Sequence, residues 1–129
     1  MTFELTVDDV LREFERKIYA PAQVREPGQL AANVGRPHAT AFGADVYPTI
    51  TGKAAALFHG FATTQAFVDG NKRIAVYATV SFLLLNGYRL DLGNREMYDI
   101  AMSASNGEMN VDGIAAAFAP AVSELPLDL

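Results

Sequence analysis

The chain contains no cysteine. That excludes a disulfide frame and any thiolate metal site, and it fits a reducing, cytoplasmic setting. Positive charge is scarce: 10 Lys and Arg stand against 15 Asp and Glu, for a net charge of −5. A broad nucleic-acid surface needs a basic face, so the chain alone is not expected to bind DNA, although one small basic site remains affordable. Long apolar runs are missing too. The longest, "IAVYATVSFLLL" from Ile74 to Leu85, is too short to span a bilayer and carries Thr79 and Ser81; it reads as a buried core helix. No membrane association is expected. The opening "MTFELTVDDVLREFERK" is acidic and amphipathic, unlike a signal peptide.

What is present is enough for a core. Of the 129 residues, 50% are hydrophobic, and a chain of this size buries roughly two-thirds of its unfolded surface on folding. Residues 1–129 are read as one domain. Nothing forces oligomerisation, so a monomer is expected in the absence of a partner.

Helical spacing recurs along the chain. Thr6 can cap a first helix whose first turn holds Asp8 and Asp9 and whose apolar stripe is Val7, Val10, Leu11, Phe14 and Ile18. Pro27 suits the first turn of a short helix bearing Leu30 and Val34. "GRPHATAFGADVYP", Gly35 to Pro48, lacks a period and reads as a long loop with room for a short extended piece. A helix from about Thr49 to Thr64 carries Ile50, Ala54, Leu57, Phe58 and Phe61. The next, from about Asn71 to the Asn86–Gly87 cap, is apolar nearly all round and should be central. "YRLDL" is at most a short strand. Asn94 can cap a helix with Met97, Ile100, Ala101 and Ala104; Val111, Ile114, Ala115 and Phe118 mark a last helix that stops near Pro120. The tail "ELPLDL" is expected to be loose. The fold class is all-α, a compact helical bundle around one apolar helix.

The segment "TTQAFVDGNKR", Thr63 to Arg73, carries the candidate chemistry. It feeds the start of the central helix, where N–H groups lack intrahelical partners and the helix dipole is positive. That is a ready anion site. Gly70 removes a side chain where an anion could approach the backbone, and Lys72 and Arg73 add full charges. Asn71 can cap the helix or hold a phosphate oxygen, and Asp69 could carry Mg²⁺. Phe67 would pin the loop to the core. Ordinary structure is the competing reading, since Gly-Asn turns, Asn caps and Lys-Arg pairs are all common. Basic residues at a helix N-terminus oppose the dipole, however, where a purely structural site would favour Asp or Glu.

"F-V-D-G-N-K-R" between an aromatic-led helix and an apolar one resembles the signature of the Fic/Doc family: His, any, Phe, any, Asp or Glu, Gly or Ala, Asn, Gly or Lys, Arg. Phe67, Asp69, Gly70, Asn71, Lys72 and Arg73 match it. "REPGQLAANVGRP", "YPTITGKAAALFHGFA" and "FLLLNGYRL" resemble the Doc branch, and the resemblance spans roughly Arg25 to Asn110. It implies a helical Fic/Doc bundle over the whole chain. It also implies a toxin that transfers a phosphoryl group from ATP to a threonine of elongation factor Tu, blocks translation and is neutralised by a Phd-type antitoxin. Carried over, Asp69 would hold Mg²⁺, while Gly70, Asn71, Lys72 and Arg73 would bind the nucleotide. Lys72 and Arg73 would also act in catalysis. The Tyr47 region resembles the flap on which Fic proteins dock their targets.

Two departures stand out. Gln65 occupies the position of the catalytic His and cannot take a proton near neutral pH. Val76 stands where adenylyl-transferring Fic proteins carry a second Arg, which, with Lys72, points to Doc. His59, six residues before Gln65 and about 9 Å away along a helix, faces another way and reads as a satisfied structural histidine. His38, in the long loop, could swing close. Gln65 is compatible with an inactivated toxin or with a member that has naturally lost its activity. The functional alternatives are a Fic-type AMP transferase and a non-catalytic protein that binds an antitoxin or a nucleotide.

Overall fold

A computed structural model describes residues 2–18 and 20–126. Six α-helices form the described part: α1 (Val7–Ile18), α2 (Pro27–Gly35), α3 (Ile50–Thr63), α4 (Asn71–Leu85), α5 (Asn94–Ser105) and α6 (Val111–Phe118). Strands β1 (Thr40–Ala41) and β2 (Ala44–Asp45) make a small antiparallel hairpin, and β3 (Tyr88–Leu90) pairs antiparallel with β4 (Val122–Glu124). The all-α expectation holds, with strands confined to these two pairs.

Local chemistry sets the helix ends. Thr6 and Asp9 bond reciprocally: the Asp9 N–H donates to Thr6 Oγ1 at 3.1 Å and the Thr6 N–H to Asp9 Oδ2 at 2.9 Å. This capping box starts α1. The Thr6 N–H, then the Thr6 hydroxyl, then Arg12 hold the Asp9 carboxyl below its ordinary range. Thr49 caps α3 through the Gly52 N–H at 2.9 Å, and Asn110 caps α6 through the Gly113 N–H at 2.9 Å. Asn94 does not cap α5. It is the first helical residue, with Gly93 in the cap position and no side-chain cap. α4 ends at Asn86, whose Nδ2 donates to the Phe82 carbonyl at 2.9 Å, and Gly87 takes the left-handed conformation at φ 86°.

The core is built around α4, which packs against α3, α1, α5 and β3. Ile74, Ala75, Ala78, Phe82 and Leu83 are fully buried on it, facing Leu57, Phe58 and Phe61 of α3. Each such large apolar side chain contributes about 1.5–3 kcal/mol of transfer free energy. Phe58 meets Phe118 of α6 edge-on, with ring centroids 5.3 Å apart. α2 docks on α3 where Gly60 leaves room: a Cβ there would come within 2.9 Å of Asn33 Oδ1.

One expectation is filled in and one changes. The short extended piece allowed for in the Gly35–Pro48 loop is the β1–β2 hairpin, preceded by a 3₁₀ turn at Arg36–His38. The tail is not loose where it begins: Glu124 pairs with Tyr88, and the Leu125 N–H donates to the Gly87 carbonyl at 2.8 Å. The rest of that tail, residues 127–129, lies outside the described residues.

Candidate functional site

The segment joining α3 to α4 is clamped by main-chain bonds from the stretch before α2. Val24 and Phe67 form an isolated antiparallel bridge. The Arg25 and Glu26 N–H groups both donate to the Ala66 carbonyl, at 2.9 and 3.2 Å, and the Val68 N–H donates to the Gln23 carbonyl at 2.9 Å. Phe67 is fully buried, stacked on Phe14 with centroids 4.6 Å apart. This is the anchoring expected of it.

Asn71 and Gly70 close the turn. Asn71 Oδ1 accepts from the Phe67 N–H and its Nδ2 donates to the Phe67 carbonyl, both at 2.9 Å. The amide thus braces the loop, leaving one N–H free to meet an anion, and it does not cap α4, whose cap position is Gly70. Gly70 sits at φ 85°, and a Cβ there would lie 3.1 Å from two carbons of the Phe14 ring. The absent side chain therefore makes room for Phe14, a different reason from the ligand clearance expected from sequence. The backbone requirement is the same in both cases.

A cavity of about 370 Å³ opens at the N-terminus of α4. It is lined by Gln65, Asp69, Gly70, Asn71, Lys72 and Arg73, so all six sequence-nominated positions lie on one surface. Thr63 and Thr64 extend it, and α5 supplies Tyr98 and Ser105. Those two α5 residues were not foreseen. Their i, i+7 spacing, beside the Met97–Ala101–Ala104 stripe, places them on one helix face and is the signal that could have found them.

Charge at the cavity is available rather than spent. Asp69 Oδ1 accepts from the Gly70 N–H at 2.8 Å, and Oδ2 lies 3.8 Å from Arg73 Nη2. The two side chains are 93% and 49% exposed, and an exposed pair of that length is worth little. Arg73 can therefore turn to a ligand at small cost. No group of three or more His, Cys, Asp or Glu side chains capable of holding a metal occurs among the described residues. Asp69, a single exposed carboxylate beside a cationic loop, is the cavity residue that could hold Mg²⁺.

Neither histidine reaches this cavity. His59 is half-buried on α3, with Nδ1 2.8 Å from Arg36 Nη1. Burial first, and the Arg36 charge second, hold its pKa below the ordinary 6.5. It is neutral and accepts from Arg36. His38 packs edge-on against Phe82, with centroids 6.2 Å apart. Tyr47 is half-buried just after β2 and does not line the cavity either.

The arrangement is that of a helical protein with a polar, cation-bearing loop braced at the N-terminus of its central helix. The Fic/DOC family model matches residues 4–83. A protein called Toxin Doc, from Mycolicibacterium smegmatis, is 39% identical over 121 residues, covering 92% of this chain and 93% of its own length. The chain belongs to the Fic/DOC family, on its Doc side. No described helix is long and apolar enough to cross a membrane.

Proposed function

We propose that the chain is the toxin of a cytoplasmic toxin–antitoxin pair, a Doc-type phosphotransferase scaffold that uses ATP with Mg²⁺ and is neutralised by a Phd-type antitoxin. Its target class is a threonine of elongation factor Tu, and its activity is impaired by Gln65. The observation that carries this reading is the convergence of Asp69, Lys72 and Arg73 on one cavity at the N-terminus of α4.

Phosphoryl transfer is mostly positioning and charge stabilisation. The first N–H groups of α4, Lys72 and Arg73 would grip the phosphates, with charge-assisted bonds of about 1.5–3 kcal/mol each. Asn71 holds the loop in shape. Asp69 would hold Mg²⁺, which when bound neutralises charge on the phosphates. In the transfer, a threonine oxygen bonds to the γ-phosphorus, the bond to the ADP oxygen breaks, and the hydroxyl proton must leave. Gln65 cannot accept that proton, and His59 is committed to Arg36. Loss of a base costs about 10²–10⁴ in rate.

Nucleotidyl transfer is the less favoured alternative. Val76, where a second Arg would be needed, is 8% exposed and packed in the core.

The test is Gln65→His with purified elongation factor Tu and ATP labelled at either the γ- or the α-phosphate. The γ-label should transfer about 10²–10⁴ times faster than with the unchanged chain. Transfer of the α-label would convert the assignment to nucleotidyl transfer. A folded, ATP-binding variant that transfers neither label would make the chain a binding protein.

A further inference from the structure

Among the described residues, the buried polar side chains are Asn33, Lys53 and Thr79. Lys53 serves the hairpin, its Nζ donating to the Pro37 carbonyl and to Asp45 Oδ2, both at 3.2 Å. Asn33, on α2 and 1% exposed, reaches towards the candidate site instead. A buried amide is costly unless its polar atoms are bonded, and both ends of this one are used. Oδ1 accepts from Gln29 Nε2 at 2.9 Å, and Nδ2 donates to Thr64 Oγ1 at 3.0 Å. The Thr64 hydroxyl donates in turn to the Gly60 carbonyl at 2.6 Å. Three bonds thus run in one donor direction from α2 into the last turn of α3, and bonds in such a relay polarise one another.

The relay sits where α3 stops. The helix ends without a glycine or an asparagine: its last residue is Thr63, and Thr64 takes the cap position in extended conformation, φ −125° and ψ 170°. Carbonyls near a helix C-terminus need partners, and here threonine hydroxyls serve. Thr63 Oγ1 donates to the His59 carbonyl at 2.6 Å, as Thr64 does to Gly60. Thr63 is exposed, whereas Thr64 is half-buried and is the one held from α2.

Gln65 is the next residue. It is exposed and lines the cavity together with Thr64. On its far side the Ala66 carbonyl is held by the Arg25 and Glu26 N–H groups. Position 65 is therefore suspended between two fixed points, one secured by a side chain and one by the main chain. Releasing the first lets α3 fray or wind on by a residue, and one residue of helix turns a side chain by about 100°.

We infer that Asn33 is a positioning residue: through Thr64 it fixes where α3 ends and so aims the side chain at position 65 into the cavity. The importance of that aim for transfer rests on the proposed function.

Asn33→Ala and Thr64→Val each cut the relay, and Thr64→Ser keeps it. Hydrogen exchange at the last-turn amides of α3, Phe61 to Thr63, should be about tenfold or more faster in both cutting variants and no faster when they are combined. It should be unchanged in Thr64→Ser, with α4 amides unchanged throughout. A crystal structure of Asn33→Ala should show Gln65 turned out of the cavity while Asp69 to Arg73 keep their places. Gln65 unmoved, or acceleration confined to α2, overturns the inference. Equal acceleration of α3 and α4 also overturns it, reducing Asn33 to a general stability residue. Should Asn33→Ala not fold, Thr64→Val breaks the same bond from its half-buried side and carries the same expectations. In the Gln65→His background, Asn33→Ala and Thr64→Val should each lower kcat about 10–10²-fold with KM for ATP unchanged, and Thr64→Ser should retain kcat. An unaltered kcat in the cutting variants, or a matching rise in KM for ATP, overturns the positioning. If Gln65→His transfers no label at all, the proposed function falls, and the exchange measurements and the place of Gln65 in Asn33→Ala still decide the inference.

Discussion

Two segments flank α3, and they are held in opposite ways. The one leaving it, Gln65 to Gly70, is fixed by main-chain bonds to Gln23, Arg25 and Glu26, by the Asn71 amide and by Phe67 stacked on Phe14. The one entering it, the Thr40–Asp45 hairpin, is fastened from α3 by side chains, Lys53 to Asp45 and His59 to Arg36. Main-chain clamping gives a loop that needs no rearrangement to present N–H groups to an anion, which suits electrostatic preorganisation. Side-chain fastening rests the hairpin on a few polar contacts, each of which a single substitution can remove.

The largest effect expected lies beneath both segments. Ala78 is fully buried on α4, and Ala78→Asp places an unpaired charge there at a cost of about 3–5 kcal/mol. Cooperative thermal melting should be lost, and loop and hairpin amides should exchange together. Melting like that of the unchanged chain would remove α4 as their common support. Next comes Asn71→Ala, which deletes two bonds to Phe67 and should cost about 1–3 kcal/mol in urea unfolding. Exchange at the Phe67 amide should rise while the hairpin stays as it was. A change in the hairpin alone would reverse the comparison.

A smaller effect separates the hairpin side by pH. The His59 pKa is lowered from 6.5, by burial and then by Arg36. The unfolded chain therefore takes the proton first. The stabilisation from neutral His59 is whole above about pH 6.5 and is lost progressively as pH falls towards the folded-state value. Urea midpoints measured downward from neutral pH should fall, and His59→Gln should flatten that fall. An unchanged slope in His59→Gln would assign the pH dependence to other groups.

Much of the helical frame was legible because its stripes are long and periodic: Val10 and Phe14, Leu57 and Phe61, Ile74, Ala78 and Phe82 all go inside. The hairpin was not, since two-residue strands have no period and Phe-Gly is not a turn signal. β4 depends on pairing with β3 some 30 residues earlier (Leu90 with Val122), which no local pattern encodes. The site was legible where it is contiguous, from Gln65 to Arg73. Tyr98 and Ser105 arrive through packing of α5, and Lys53, in a largely apolar stretch, gives no hint that its ammonium is buried. Asn71 shows the limit most clearly. Its residue type fits a cap, a ligand or a brace, and the bonds to Phe67 identify the brace.

The central claim is that the Asp69–Arg73 loop grips phosphates even with Gln65 in place. Calorimetric titration of Mg²⁺–ATP into the unchanged chain tests it most directly. Weak but saturable binding should be seen, kept in Gln65→Ala and weakened at least about tenfold in Arg73→Ala, the loss of one charge-assisted bond. Absence of binding by the unchanged chain, or equal affinity in Arg73→Ala, would contradict it.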